Sequence, residues 1–323
     1  MKRKRAEVLT TSGALQKAYQ AADPRFASVE CVFFVIGAQK AGTTWLSHYL
    51  KRHPDVSVPE WKEHDFWNMV EGRLEPSRML QAQKERREKN NALRSLGKLM
   101  WFTLYARRQR SIDLALLATK APYAPYSAYA DVILENAEPN TVAAGEICPE
   151  YAILKSETLA KMARLSSNVR FLFLMRDPVS RFVSGVRHSL RKSLGKSHAT
   201  TDELSQRINS QLANPNGRHL NLSRYDKTIL ALEESVASDR IHYVFFEEMF
   251  DQTQVGKICD FLGVPFLEGK ITARANGAGK KGVRVNPEDL VSISEALKPV
   301  YDFTAKRFGT RVPTKWSESA ALC

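Results

Sequence analysis

Three near-continuous apolar runs of strand length stand out along the chain: Cys31–Gly37 (CVFFVIG), Val169–Met175 (VRFLFLM) and Ile241–Phe246 (IHYVFF). Runs that do not alternate with polar residues suit strands buried on both faces. Each is followed by a segment of helical spacing. Thr43–His53 comes after a Gly-containing loop, offers Thr residues as caps, and is ended by His53-Pro54-Asp55. After the second run, Asp177 can cap a helix and Pro178 occupies its first position. After the third, Glu247-Glu248 leads into the helical pattern of Val255–Val264. Strands alternating with helices predict an α/β fold with a central parallel β-sheet flanked by helices. The pattern divides the chain into an N-terminal tail or peripheral helix over 1–30 and a single domain over 31–323, with a helical insert over about 68–120. No fixed-period repeat or low-complexity tract interrupts it.

Composition narrows the class. A chain of 323 residues with 43% hydrophobic residues has ample material for a large core. Its four cysteines (Cys31, Cys148, Cys259, Cys323) are widely spaced and form no Cys-x-x-Cys pair. A disulfide scaffold or thiolate zinc site is not expected, and a reducing compartment is. The basic N-terminus is not followed by an apolar segment of signal-peptide length, and no window reaches the length of a membrane span. These features predict a soluble, cytoplasmic protein without a membrane partner. Forty-eight Lys and Arg against 35 Asp and Glu leave a net charge of +13. Such an excess calls for an anionic partner, whether nucleic acid, acidic polymer or phosphorylated cofactor.

The loop after the first strand decides among these. In Gly37-Ala38-Gln39-Lys40-Ala41-Gly42-Thr43-Thr44, a Gly-rich turn enters a helix, so backbone N–H groups collect at the positive end of the helix dipole. Lys40 adds a mobile charge and the Thr hydroxyls add donors. The glycine spacing is that of a Walker A loop, but Thr43 stands where Walker A has Lys, and the second strand is followed by Arg176 rather than a magnesium-binding acid. The loop fits a phosphate-bearing donor handled without metal.

The order Gly-x-x-Lys-x-Gly-Thr-Thr-Trp-Leu after a strand resembles the 5′-phosphosulfate loop of sulfotransferases that use 3′-phosphoadenosine-5′-phosphosulfate (PAPS), in particular the bacterial and heparan-type branch. Their fold is P-loop-NTPase-like, and the resemblance implies that Gln39, Lys40, Ala41, Gly42, Thr43, Thr44 and Trp45 bind the donor. Arg176-Asp-Pro-Val-Ser-Arg181-Phe-Val-Ser184 is similar to the family's 3′-phosphate motif, which implies that Arg176 and Ser184 contact the ribose phosphate. Arg181, Arg187 and His188 share that helix and read as solvated charges beside an apolar stripe. Trp61-Lys62-Glu63-His64-Asp65-Phe66-Trp67 resembles the Lys-Glu-Pro-x-Phe-Phe segment, with His64 in place of Pro. The resemblance gives Glu63 the role of general base, and His64 is a competing base beside it. Gly145-Glu146-Ile147-Cys148-Pro149-Glu150-Tyr151 resembles the Gly-Glu-Lys-x-Pro-x-Tyr turn with Ile147 replacing Lys, and leaves Glu146 as a second acid/base or a structural carboxylate. Gly279-Lys280-Lys281-Gly282-Val283-Arg284 is similar to the loop that closes over the nucleotide, which nominates Lys281, Gly282 and Arg284. Arg224-Tyr225 and Phe261–Val264 match as scaffold landmarks, so the resemblance runs from Cys31 to Trp316.

The implied reaction moves a sulfuryl group from PAPS to a hydroxyl or amine of a small metabolite, as in secondary metabolism, and releases adenosine 3′,5′-bisphosphate (PAP). Lys40 would stabilise the leaving oxygen and no metal is required. Two other classes stay on the table: a P-loop kinase or ATPase, and a non-enzymatic binder of acidic polymers. The second is motivated by Arg78–Arg110, with ten Lys or Arg against two Glu. That run is read as a solvated helical face or as a sign of an anionic acceptor. It has few aromatics for stacking and no nucleic-acid motif, so a nucleic-acid partner is not expected. The segments Trp67–Lys120 and Lys192–Arg218 are expected to shape the acceptor pocket.

Overall fold

The computed structural model describes residues 23–60, 62–74, 126–194, 199–270 and 283–322. Five strands form one sheet: β1 (Cys31–Gly37), β2 (Val56–Ser57), β3 (Ala143–Ile147), β4 (Val169–Met175) and β5 (Ile241–Phe245). Their order is β2-β3-β1-β4-β5 and every pairing is parallel. The helices are α1 (Thr43–Leu50), α2 (Phe66–Val70), α3 (Tyr126–Ile133), α4 (Ser156–Met162), α5 (Pro178–Leu194), α6 (Thr201–Leu212), α7 (Arg218–Asn221), α8 (Tyr225–Ser235), α9 (Gln252–Leu262), α10 (Pro287–Phe308) and α11 (Thr314–Ala320). The N-terminal stretch 1–22, most of the 68–120 insert and the basic run Arg78–Arg110 lie outside the described residues.

The apolar runs became strands because the sheet is covered on both faces. All seven residues of β1 are buried, and in β4 only Arg170 is not fully so. Phe34 and Phe171 meet across the β1–β4 pair with ring centroids 5.5 Å apart. Burying each such side chain stabilises the fold by about 1.5–3 kcal/mol. Ahead of β1, a 3₁₀ turn over Pro24–Ser28 buries Phe26.

Two readings of the sequence change here. Gly145–Ile147, matched above to the start of a turn motif, belong to a buried strand over Ala143–Ile147: Cys31 to Val35 of β1 pair with Ala143 to Ile147 in register. The Thr residues after Gly42 do not cap α1. Gly42 is the cap residue, at φ +87°, and its conformation has no side-chain cap. Asp177 does cap as expected, its Oδ2 accepting the Ser180 N–H at 2.8 Å.

The order in which strands are added to the sheet reverses about β1. The chain leaves β1 for β2 and β3 on one side, then crosses to β4 and β5 on the other. Loops from the carboxyl ends of β1 and β4 therefore flank a crevice at the switch point, where open α/β sheets bind ligands.

Candidate active site

The loop from Gly37 to Gly42 closes one wall of that crevice. It is stitched to the neighbouring strand by the Ala38 N–H, which donates to the Leu174 carbonyl at 2.6 Å, and it turns on an Ala41 N–H to Ala38 carbonyl bond at 3.1 Å. Lys40 and Gly42 both take left-handed conformations, at φ +73° and +87°. Gly42 is required twice over, because a Cβ there would also come within 2.6 Å of the Met249 side chain. Among the described residues no acceptor engages the N–H groups of Gly42, Thr43 or Thr44, so the start of α1 offers a row of free donors.

Lys40 is half-buried in the loop. Burial, followed by the charges of Arg191, Arg176, Lys62 and Arg181, pushes its ammonium below the ordinary lysine range. Arg176, at the carboxyl end of β4, donates from Nη1 to the Lys40 carbonyl at 3.2 Å. Its guanidinium lies 4.9 Å from the centre of the Phe246 ring. Tyr225 clamps the same residue: its hydroxyl donates to the Arg176 carbonyl at 2.9 Å and accepts the Arg176 N–H at 3.4 Å. The two motifs nominated on separate strands thus meet. Ser184 is on α5, half-buried, on the helical face that also carries Arg181, His188 and Arg191.

Arg181 is not a solvated charge. It is fully buried, and its Nε and Nη1 have no hydrogen-bond partner. Its Nη2 reaches His219 Nδ1 at 3.3 Å, and His219 Nε2 lies 2.6 Å from the Ser189 hydroxyl. Burial lowers Arg181 to about 10. Burial and the Arg181 charge lower His219 to about 3, so the imidazole is neutral and Nδ1 can accept. Arg187 also departs from the expected solvated state, since its guanidinium donates to the Val283 carbonyl. His188 is exposed as expected.

On the β3 side of the loop lies Lys62–Asp65, which three bonds tie down. Lys62 Nζ donates to Thr44 Oγ1 at 2.8 Å, the Glu63 N–H donates to the Ile147 carbonyl at 3.2 Å, and the His64 N–H donates to Glu146 Oε1 at 3.1 Å. Glu63 and Asp65 adopt left-handed backbone, at φ +65° and +58°. The Glu63 side chain is 44% exposed and pairs with Lys62 at 3.2 Å. His64 is buried, with Nδ1 3.2 Å from Glu146 Oε1. Glu146 is buried in β3, and its other oxygen accepts the hydroxyls of Tyr129 at 2.6 Å and Tyr151 at 3.0 Å. Burial alone would raise this carboxyl, but the bond and charge of His64 and the two tyrosine bonds hold it below the usual carboxylate range.

Gln39 donates from Nε2 to Glu150 Oε1 at 2.9 Å, and the same carboxylate pairs with Arg218. Residue 218 closes the segment expected to shape the acceptor pocket, and this link brings it to the loop. Ala41 and Trp45 are buried, with Trp45 Nε1 donating to the Lys270 carbonyl at 3.2 Å. Arg284 is exposed, while Lys281 and Gly282 lie outside the described residues. Tyr129 and Arg218 were not nominated from the sequence. No local pattern marks them, because each joins the site only through the fold.

The model of the sulfotransferase family matches residues 33–268. The chain belongs to the sulfotransferase family. The sheet order, the flanking helices and the P-loop-like turn are those of an α/β sulfotransferase fold. Among solved structures, this sulfotransferase is similar to one from Alicyclobacillus acidocaldarius, with a TM-score of 0.56 and 17% identity over 88% of this chain and 98% of that one. It also matches the sulfotransferase domain of the Synechococcus PCC 7002 olefin synthase, with a TM-score of 0.46 and 17% identity over 91% and 94% of the two chains. A mouse sulfotransferase complexed with PAP matches with a TM-score of 0.42 and 14% identity over 95% and 93%. No curated protein matches the chain. Among the described residues of this sulfotransferase, no group of three or more His, Cys, Asp or Glu could hold a metal, and no helix is long and apolar enough to cross a membrane.

Proposed function

We propose that this sulfotransferase uses PAPS as donor, transfers its sulfuryl group to a hydroxyl or amine of a small-molecule acceptor, and releases PAP. The observation that carries this reading is a cluster of cations: half-buried Lys40 lies in the field of half-buried Arg176 and buried Arg181, beside a helix start whose N–H groups have no acceptor among the described residues. Like charges gathered out of water are unfavourable unless an anion joins them. PAPS supplies that anion together with an activated sulfuryl group.

In this reading, the N–H groups of Gly42, Thr43 and Thr44 hold the 5′-phosphosulfate and the Lys40 ammonium neutralises charge on the leaving oxygen. Arg176 and Ser184 hold the 3′-phosphate by charge-assisted and hydroxyl bonds. Gln39, Ala41 and Trp45 shape the loop around the donor, while Lys281, Gly282 and Arg284 belong to the nucleotide side. The acceptor's proton leaves to a base on the Lys62–Asp65 segment, from Glu63 or His64.

Thermal unfolding with PAP and with Mg-ATP tests the reading. PAP at one hundred times its dissociation constant stabilises the folded state by about 2.7 kcal/mol, a rise of several degrees in melting temperature. A shift with Mg-ATP and none with PAP overturns the proposal in favour of a kinase or ATPase. Labelled PAPS incubated with a metabolite extract, followed by mass detection of the sulfated product, then identifies the acceptor.

A further inference from the structure

From the bonds that join α7 to α5 and to the donor loop we infer that Arg218, with His188 and Arg191, receives an oxyanion on the acceptor. The substrate then carries a carboxylate or a phosphate beside the hydroxyl or amine that is sulfated. This assignment rests on the sulfuryl-transfer reading and names the substrate class of the same site.

The argument starts from what holds Arg218. On the turn after β3, Glu150 Oε1 accepts from Gln39 Nε2 at 2.9 Å and from Arg218 Nη2. Gln39 is the residue before Lys40, so one carboxylate ties Arg218 to the loop that carries the ammonium. The next residue, His219, seats α7 on α5: its Nε2 lies 2.6 Å from the Ser189 hydroxyl, and its Nδ1 lies 3.3 Å from Arg181 Nη2. Arg218 and His188 each immediately precede a member of the His219–Ser189 contact, which brings them into one neighbourhood. His188 continues the face of α5 that carries Ser184, and Arg191 follows it one turn on.

The charges on this rim are open. Partial burial, followed by the charges of Lys40, Arg191, Lys192 and Arg218, holds the His188 imidazole below the ordinary histidine range. Arg191 is also the first of the charges that act on Lys40. His188 and Arg191 are exposed, and among the described residues neither has a hydrogen-bond or ion-pair partner. The Arg218 guanidinium bonds only to Glu150, and its side chain is 49% exposed. Most of its five donors therefore remain for a ligand.

The donor does not use these groups. In the reading above its 5′ end is held by the loop and the start of α1, and its 3′-phosphate by Arg176 and Ser184. Arg191 stands two turns beyond Ser184, and Arg218 comes from another helix. A carboxylate or phosphate matches a guanidinium in shape as well as in charge, and can take two of its bonds at once. Because Glu150 already holds Arg218 in place, little freedom is lost when it binds. A neutral acceptor of the same outline leaves the cations repelling one another. The arrangement thus selects among acceptors and leaves the transfer chemistry to the loop.

Calorimetry on the PAP complex tests the assignment with 4-hydroxybenzoate, 3-(4-hydroxyphenyl)propanoate, the methyl esters of both, and 4-hydroxyphenyl phosphate. The best of the three anions is expected to bind at least about tenfold tighter than either ester, the scale of one charge-assisted contact. Whether a carboxylate or the phosphate leads tells which oxyanion the site takes. Arg218→Gln and Arg191→Gln are each expected to cut the preference severalfold with PAP affinity within about twofold of wild type, and Arg218→Lys to keep part of it. Arg191→Gln leaves the Glu150 link untouched, so it serves as the arm that does not depend on that contact. Anions no tighter than esters, no binding by any of the five compounds, or a preference lost in Lys40→Ala and kept in both Gln variants overturns the assignment. The last result would put the anion in the space that the sulfuryl group leaves in PAP. A wild-type protein that does not bind PAP instead removes the sulfuryl-transfer reading beneath it.

Discussion

Gly185 is a space-holder for Arg181: a Cβ built on it would come within 2.5 Å of Arg181 Nη2 and 2.7 Å of His219 Nδ1. One helical turn of α5 thus makes room for the guanidinium that the turn before it buries. Gly185→Ala should force these two side chains apart and destabilise the protein by about 1–3 kcal/mol, the usual range for overpacking a filled site. Urea unfolding reads the change. A variant as stable as wild type would show that the Arg181–His219 contact has room to relax.

Lys40→Ala removes the ammonium from the loop and leaves its N–H donors in place. PAPS consumption should fall by about 10²–10³-fold, as when one stabilising group is lost from a developing oxyanion. PAP affinity should fall much less. Parallel turnover and titration calorimetry separate the two effects, and wild-type turnover would take Lys40 out of the reaction.

Arg176→Ala should show the opposite balance. Losing a charge-assisted contact costs about 1.5–3 kcal/mol, or roughly 10–150-fold in PAP affinity. The variant also loses the bond to the Lys40 carbonyl, so some turnover should go with it. Unchanged PAP affinity in calorimetry would remove Arg176 from the nucleotide site.

His219 gives the fold an acid-sensitive element. Its folded value of about 3 lies below the ordinary histidine value of 6.5, so the unfolded chain binds the extra proton first. Stability from this group is complete above about pH 6.5 and is lost as pH falls toward 3. From pH 7.5 to 5.0 the loss amounts to about 2 kcal/mol. His219→Gln should flatten that part of the stability profile in urea titrations at the two pH values. An equally steep decline would show that His219 takes up its proton in the folded state as well.

How far the sequence reached follows from the kind of contact involved. β1 and β4 were legible because strands covered on both faces are apolar throughout, and Asp177-Pro178 announced α5 through chemistry confined to one turn. β3 went unrecognised as a strand: Gly145–Tyr151 was matched only to a turn motif, and Ala143-Ala144-Gly145-Glu146 has little bulk and a charge in it. Its burial depends on Phe33 lying against Gly145, and its charge on three partners, one of them Tyr129 from α3. Arg181 misled for a related reason. Arginine is rarely buried completely, and only the meeting of α5 with α7 supplies His219. Lys40 is on the loop after β1 and Arg176 at the end of β4, as their patterns led one to expect, but the left-handed turns at Lys40 and Glu63 are visible only in the backbone.

The bond from Arg176 to the Lys40 carbonyl spans 136 residues of chain. A closure that long is entropically costly and forms only once β1 and β4 are side by side. A nascent or truncated chain would therefore possess the Gly37 loop without possessing the nucleotide site proposed above. Nucleotide binding by this sulfotransferase would then report completed assembly of the sheet, and ligand-dependent protection in hydrogen exchange should spread along both central strands rather than remain at the loop.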